Sequence, residues 1–197
     1  YGWDGVLRLW EPWSGRQLLQ TPAQTYIRFS SDGRWLGSEW AGANRFQLLE
    51  IAPSSVYSSL PHLTKLHFTS LYDGDISPDG RWLVCGTDNG VQLRSLPGGQ
   101  LVATLSSGLS PGTRFRPDGQ AIFTCGDRGL NQWPFERVGP DQFRLGQPTR
   151  IQVPLSGTMR MSLSSDGQSL AVVGEETGRA VILNPTSGQP PHASFDH

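Results

Sequence analysis

Gly108-Leu109-Ser110-Pro111-Gly112 carries the glycine-flanked serine of a nucleophile elbow, a sharp turn on which a serine hydroxyl attacks a carbonyl. In that turn the next residue donates its backbone N–H to the oxyanion; Pro111 has none, and no strand-to-helix order surrounds it, so acyl transfer is not expected. Asp73-Gly74-Asp75-Ile76-Ser77 places oxygen ligands at alternate positions, as a calcium loop begins. Pro78 stands where that loop needs its glycine, and Val84 where it needs a bidentate acid. His62 and His67 are near each other in sequence, as are His192 and His197, but neither pair has a thiol or carboxylate at ligand spacing, so no metal is expected. Cys85 and Cys125, the only thiols, each precede a glycine and read as small, reduced core side chains. No catalytic residue and no cofactor is expected.

The elements that would position any site come from a repeat. Ser31-Asp32-Gly33, Pro78-Asp79-Gly80, Pro117-Asp118-Gly119 and Ser165-Asp166-Gly167 recur at intervals of 47, 39 and 48 residues. A mean of about 45 is the period of a four-stranded propeller blade. Alternating segments such as Ile27-Arg28-Phe29 and Thr113-Arg114-Phe115 precede the turns, and apolar runs such as Trp35-Leu36 and Trp82-Leu83 follow, so each turn closes a hairpin. Second turns follow at Gly42-Ala43-Asn44, Asp88-Asn89-Gly90, Asp127-Arg128-Gly129 and Glu176-Thr177-Gly178. Third strands fall around Phe46 to Leu49, Val91 to Arg94, Leu130 to Trp133 and Val181 to Leu183, with an outer strand completing each unit. By propensity alone Ala43 to Ala52 could be helical, but its counterparts in the other units could not; His62 to Asp73 stays open to a short helix.

The chain of 197 residues has 24 Gly and 15 Pro, too many breakers for long helices, and 36% hydrophobic residues, enough for a core. An all-β fold is expected. Sixteen bases against 17 acids, scattered along the chain, leave no basic face for nucleic acid. No apolar run approaches the roughly 18 residues that span a bilayer, and the first residues lack the order of a secretory signal. A soluble, cytoplasmic protein is the expectation.

Leu9-Trp10-Glu11-Pro12-Trp13-Ser14-Gly15 and Leu183-Asn184-Pro185-Thr186-Ser187-Gly188 resemble the Trp-Asp end of a WD repeat and its following turn. With the order and period of the hairpins, the chain resembles a WD-repeat β-propeller along its whole length. The resemblance implies four-stranded antiparallel blades, about four and a half of them, out of a ring that in this family usually has seven. The units are 1–22 (a partial blade), 23–68, 69–110, 111–157 and 158–197. Trp10 and Trp133 alone keep the family's Trp, and the Gly-His pair that normally precedes the first strand is missing from all four complete units. The network that links that pair to the turn Asp is therefore not expected, and packing must carry more of the stability. The Pro-x-Ser-Gly ends and the bias to Arg, with Lys65 the one Lys, resemble propellers of large bacterial multidomain proteins, some bearing a serine/threonine kinase. The chain itself holds no kinase motif, and it reads as an excerpt of a longer protein.

A propeller spends its strand faces on packing and leaves its loops free to vary, so function is expected in the loops. The leading expectation is a non-catalytic scaffold that binds a protein partner or a neighbouring domain, with self-association possible through open terminal blades. Its candidate surface comprises Trp13, Trp40, Arg45, Tyr72, Arg94, Arg128 and Trp133, aromatic and Arg residues near turns and joins. Trp35 and Trp82, at equivalent places, are expected between blades. The alternative is a ligand-binding propeller, for which Arg28, Asp75, Arg114 and Arg160 on or near the innermost strands form an arginine-rich set suited to a small anion.

Overall fold

The computed structural model describes residues 4–22, 25–40, 45–50, 64–67, 72–96, 98–139, 142–187 and 193–195, and all regular structure among them is antiparallel strand. A two-stranded sheet comes first, β1 (Val6–Trp10) with β2 (Gln17–Pro22). The second sheet follows chain order through β3 (Thr25–Phe29), β4 (Trp35–Trp40), β5 (Arg45–Glu50) and β6 (Thr64–His67). The third repeats it with β7 (Asp73–Ile76), β8 (Trp82–Thr87), β9 (Gly90–Ser95) and β10 (Leu101–Leu105). The fourth contains β11 (Gly112–Phe115), β12 (Ala121–Gly126), β13 (Gly129–Gly139), β14 (Gln142–Leu145) and β15 (Thr149–Ile151). The fifth contains β16 (Met159–Leu163), β17 (Leu170–Gly174), β18 (Ala180–Leu183) and β19 (Ala193–Phe195). Arg45–Glu50 and Thr64–His67 are strands, so where the helix-open segments are described the repeat has overridden propensity.

The fourth sheet departs from the four-stranded expectation. Its third strand does not stop near Trp133 but runs to Gly139 and turns back as β14, while β15 supplies the outer partner of Leu130 to Gln132. Pro134 is tolerated because the hairpin beyond it stands outside the blade, where Phe135 pairs with Leu145 and Arg137 with Phe143. The aromatic rings of this hairpin lie over the neighbouring sheet. Phe143 meets Trp82 edge-on at 5.1 Å, Phe135 meets it at 6.2 Å, and the two phenyl rings stack at 5.4 Å. Arg137 adds an ion pair to Asp79 at 3.5 Å.

The core is divided among the sheet-to-sheet interfaces. Leu7 of the first sheet packs with Leu36 of the second; Trp35 and Leu48 of the second pack with Ile76, Leu83 and Cys85 of the third. Trp82, Val84, Val91, Leu93 and Leu105 of the third meet Phe115, Ile122 and Phe135 of the fourth. Phe123, Cys125 and Leu130 of the fourth meet Met159, Met161, Leu170, Val172, Val181 and Leu183 of the fifth. A fully buried side chain of this size contributes about 1.5–3 kcal/mol, so each sheet is held chiefly by its neighbours. Trp35 and Trp82, buried at equivalent places, belong to this packing.

The first strands β3, β7, β11 and β16 stand side by side, β7 touching β3 on one side and β11 on the other, and β11 touching β16. They converge at the inner edges of the sheets, so their side chains share one space. Two glycines allow the sheets to close up there. A Cβ on Gly86 would collide with the carbonyl oxygen of Ser110, and one on Gly126 with that of Leu109, at matching places after Cys85 and Cys125.

Candidate functional site

Strand direction sorts the loops into two ends. The Asp-Gly turns and the turns after the third strands lie at one end of the sheets, and the turns between second and third strands at the other. Trp13 (95% exposed, in the β1–β2 turn), Arg94 and Trp133 belong to the Asp-Gly end, whereas Trp40, Arg45, Tyr72 and Arg128 belong to the opposite end. The seven residues therefore do not form one surface.

Several of them are engaged within the fold. Arg94 donates to Gly99 O at 2.8 Å and to Gln92 Oε1 at 2.7 and 3.0 Å, holding its own turn. Trp133 is half-buried and donates from Nε1 to Thr124 Oγ1 at 3.1 Å. The Tyr72 hydroxyl donates to Asp88 Oδ1 at 2.5 Å, and that bond holds the phenol proton more tightly than usual. Arg128 is exposed beside Gly108. Trp40 and Arg45 face each other in register on β4 and β5, and their side chains lie outside the described residues.

The Asp-Gly turns hold a network that replaces the missing one. Ser30 Oγ donates to Asp32 Oδ1 at 2.5 Å and accepts the Trp35 N–H at 2.8 Å, while Asp32 also accepts the Arg34 N–H at 2.9 Å. Ser77 with Asp79, and Ser164 with Asp166, repeat it, and in the fourth sheet Arg116 Nε takes the serine's part on Asp118 at 2.7 Å. The serine hydroxyls, then the backbone N–H groups of Arg34 and Gln168, hold the Asp32 and Asp166 carboxyls below their usual range. Burial pushes Asp118 up, but the Arg116 bond and the Gln120 N–H outweigh it. The sequence signal, Ser two residues before the turn Asp, is visible in three copies and was missed.

At the inner edge, Asp73 and Arg114 form a buried ion pair at 2.5 Å between β7 and β11. Asp73 also accepts the Thr113 N–H at 3.3 Å, and Asp75, two residues on, accepts the Phe115 N–H at 2.7 Å. Burial pushes the Asp75 carboxyl up to about 6, against the opposing influence of Arg114 and the Phe115 N–H. Beside this pair a cavity of about 370 Å³ opens at the Asp-Gly end, lined by Arg28, Asp75, Arg114 and Ser162 among others. Arg160 lies outside its lining; it is exposed and pairs with Glu175.

The motifs that suggested chemistry have structural duties. Ser110 is buried, its hydroxyl shared with Ser107 at 2.7 Å and its N–H given to Thr87 O at 3.1 Å. Asp73 and Asp75 serve the strand contacts just described. Cys85 and Cys125 are free and buried, with burial raising both thiols, that of Cys125 to about 12. Among the described residues no group of His, Cys, Asp and Glu could hold a metal ion; His62, His192 and His197 lie outside those residues.

The family model described as WD domain, G-beta repeat, matches residues 59–95. That span ends with β9 and takes in the outer strand β6 and the strands β7 and β8, one repeat unit. The chain therefore carries a WD repeat. A WD repeat-containing protein of Synechocystis sp. is 31% identical over 113 residues, which cover 55% of this chain and 31% of the relative. The chain thus spans under a third of the length of the curated relative it matches. WD repeats generally mediate protein–protein interaction, and WD-repeat proteins are typically non-catalytic. The antiparallel four-stranded sheets are consistent with WD β-propeller blades, and the fourth sheet carries the extra hairpin.

Proposed function

We propose that this WD-repeat chain is a non-catalytic scaffold that presents its Asp-Gly end to a protein partner or to another domain of a longer protein. The observation that carries the reading is Trp13, 95% exposed at the tip of the β1–β2 turn beside blades whose other large side chains are mostly spent on packing. An indole held in water on a short turn gains most of its free energy when a partner covers it, and Trp is enriched among interface hot spots. The turn is held by Gly15 N–H to Glu11 O and Glu11 N–H to Arg16 O, both at 2.9 Å, so little ordering is left to the moment of binding. Trp40, Arg45, Tyr72 and Arg128 form a second candidate surface at the opposite end.

Site-specific photo-cross-linking from the two ends in the full-length protein, combined with W13A and R128A, tests both surfaces. Cross-links from the β1–β2 turn, with partner affinity falling about tenfold or more in W13A, support the assignment. Loss in R128A alone moves the interface to the other end. Unchanged binding in both variants, with the fold intact, refutes it.

A further inference from the structure

Arg28, Asp75, Arg114 and Ser162 stand at one level of four neighbouring first strands, each two residues before the position that carries Ser30, Ser77, Arg116 and Ser164 in the turn network. All four line the cavity of about 370 Å³ at the inner edge, a volume within the range of small-ligand sites. The two guanidinium groups have donors to spare. Arg114, 9% exposed, uses Nη1 on Asp73 and on Thr113 O, and its Nε and Nη2 bond to no described residue. Arg114 is among the residues that line the cavity, where a ligand can meet those donors. Among the described residues Arg28 reaches only the carbonyl of Ile27, at 3.4 Å.

A planar fork of N–H donors matches a carboxylate with two parallel hydrogen bonds, and its strength grows where water is partly excluded. The walls supply that exclusion: Phe29, Ile76 and Phe115 flank the charged level. Asp75 sets the charge limit. It shares the lining with both arginines, and its negative charge opposes a second negative charge on the ligand, which favours a monoanionic carboxylate over dianionic phosphate.

We infer that this inner cavity binds a carboxylate group, gripped by Arg28 and the free donors of Arg114, with the Ser162 hydroxyl as a further partner. The group can come from a small molecule or from an acidic side chain of a bound protein. The inference is independent of the scaffold reading, since Trp13 lies in another turn.

Propionate, a peptide with a single internal glutamate, and inorganic phosphate are titrated at pH 7.5 into the full-length protein and followed by NMR. Saturable propionate or peptide binding is expected below about 50 mM, weakened about tenfold in Arg28→Ala and less in Arg28→Lys, with phosphate the weakest. Among the described residues Arg28 makes no bond between blades, so its variants should keep the wild-type unfolding midpoint, and W13A should leave propionate binding unchanged. A stronger response to the peptide than to propionate assigns the carboxylate to a protein, and the reverse to a small molecule. The inference is overturned if neither carboxylate saturates, if Arg28→Ala binds as the wild type does, or if phosphate binds best.

Discussion

Replacing Asp75 with asparagine should stabilise the protein at neutral pH and do nothing for it in acid. The carboxyl titrates at about 6 in the fold against a usual value of 3.8, because burial penalises its charge more than Arg114 and the Phe115 N–H reward it. The difference corresponds to about 3 kcal/mol between the two protonation states. Asp75 keeps part of its surface toward the water of the cavity, so about half of that, ~1.5 kcal/mol, is the expected effect. The folded state holds the proton more tightly than the unfolded chain, so the group's contribution is fully present below about pH 4 and is lost as pH rises through 6. The asparagine keeps an oxygen for the Phe115 N–H and never ionises. Urea unfolding of wild type and D75N, followed by tryptophan fluorescence at pH 4, 6 and 7.5, reads the difference directly. The lowered carboxyls, Asp32, Asp118 and Asp166, weaken both proteins in acid and cancel. A D75N difference that is flat with pH, or that favours wild type at pH 7.5, refutes the reasoning.

Gly86→Ala and Gly126→Ala each drive a Cβ into a carbonyl oxygen of the connecting loop and should cost about 2–4 kcal/mol, read as an earlier urea midpoint. Asp73→Ala leaves the Arg114 charge buried without its partner and should cost about 3–5 kcal/mol, most of it recovered when Arg114 is replaced by methionine in the same chain. Cys85 and Cys125 should resist iodoacetamide at pH 8 in the folded protein and react only as it unfolds, which mass spectrometry of timed labelling would show.

The blades were legible because the signals that define them are local. An Asp-Gly turn needs positive φ at its glycine, as Gly33, Gly80, Gly119 and Gly167 have, and four copies at one period outweigh the helix propensity of Arg45 to Glu50. The β13–β14 hairpin was hidden because Pro134 and Gly139 read as the end of a strand, and nothing local says that a strand continues once it has left the sheet. The seven surface candidates divide between the two ends for a simple reason. Antiparallel strands return each alternate loop to the same end, so strand parity alone sorts Arg94 and Arg128 to opposite ends. The Asp73–Arg114 pair, 41 residues apart, was harder to see because it joins positions that are not equivalent under the repeat.

That pair belongs to a small ladder built from side chains. Asp73 and Asp75 are alternate residues of β7 and reach the N–H groups of Thr113 and Phe115, alternate residues of β11, so two carboxylates do for neighbouring blades what carbonyls do within a sheet. The two rungs are not equal. Asp73 is neutralised by direct contact with Arg114, whereas Asp75 has no ion pair among the described residues and sits beside the cavity with its proton affinity raised. A purely structural ladder would gain by neutralising both, or by using an uncharged acceptor at the second rung. Arginines with spare donors, left beside a carboxyl that pairs with neither, are an arrangement that costs stability, and a ligand carboxylate that takes up those donors is what would make that cost useful.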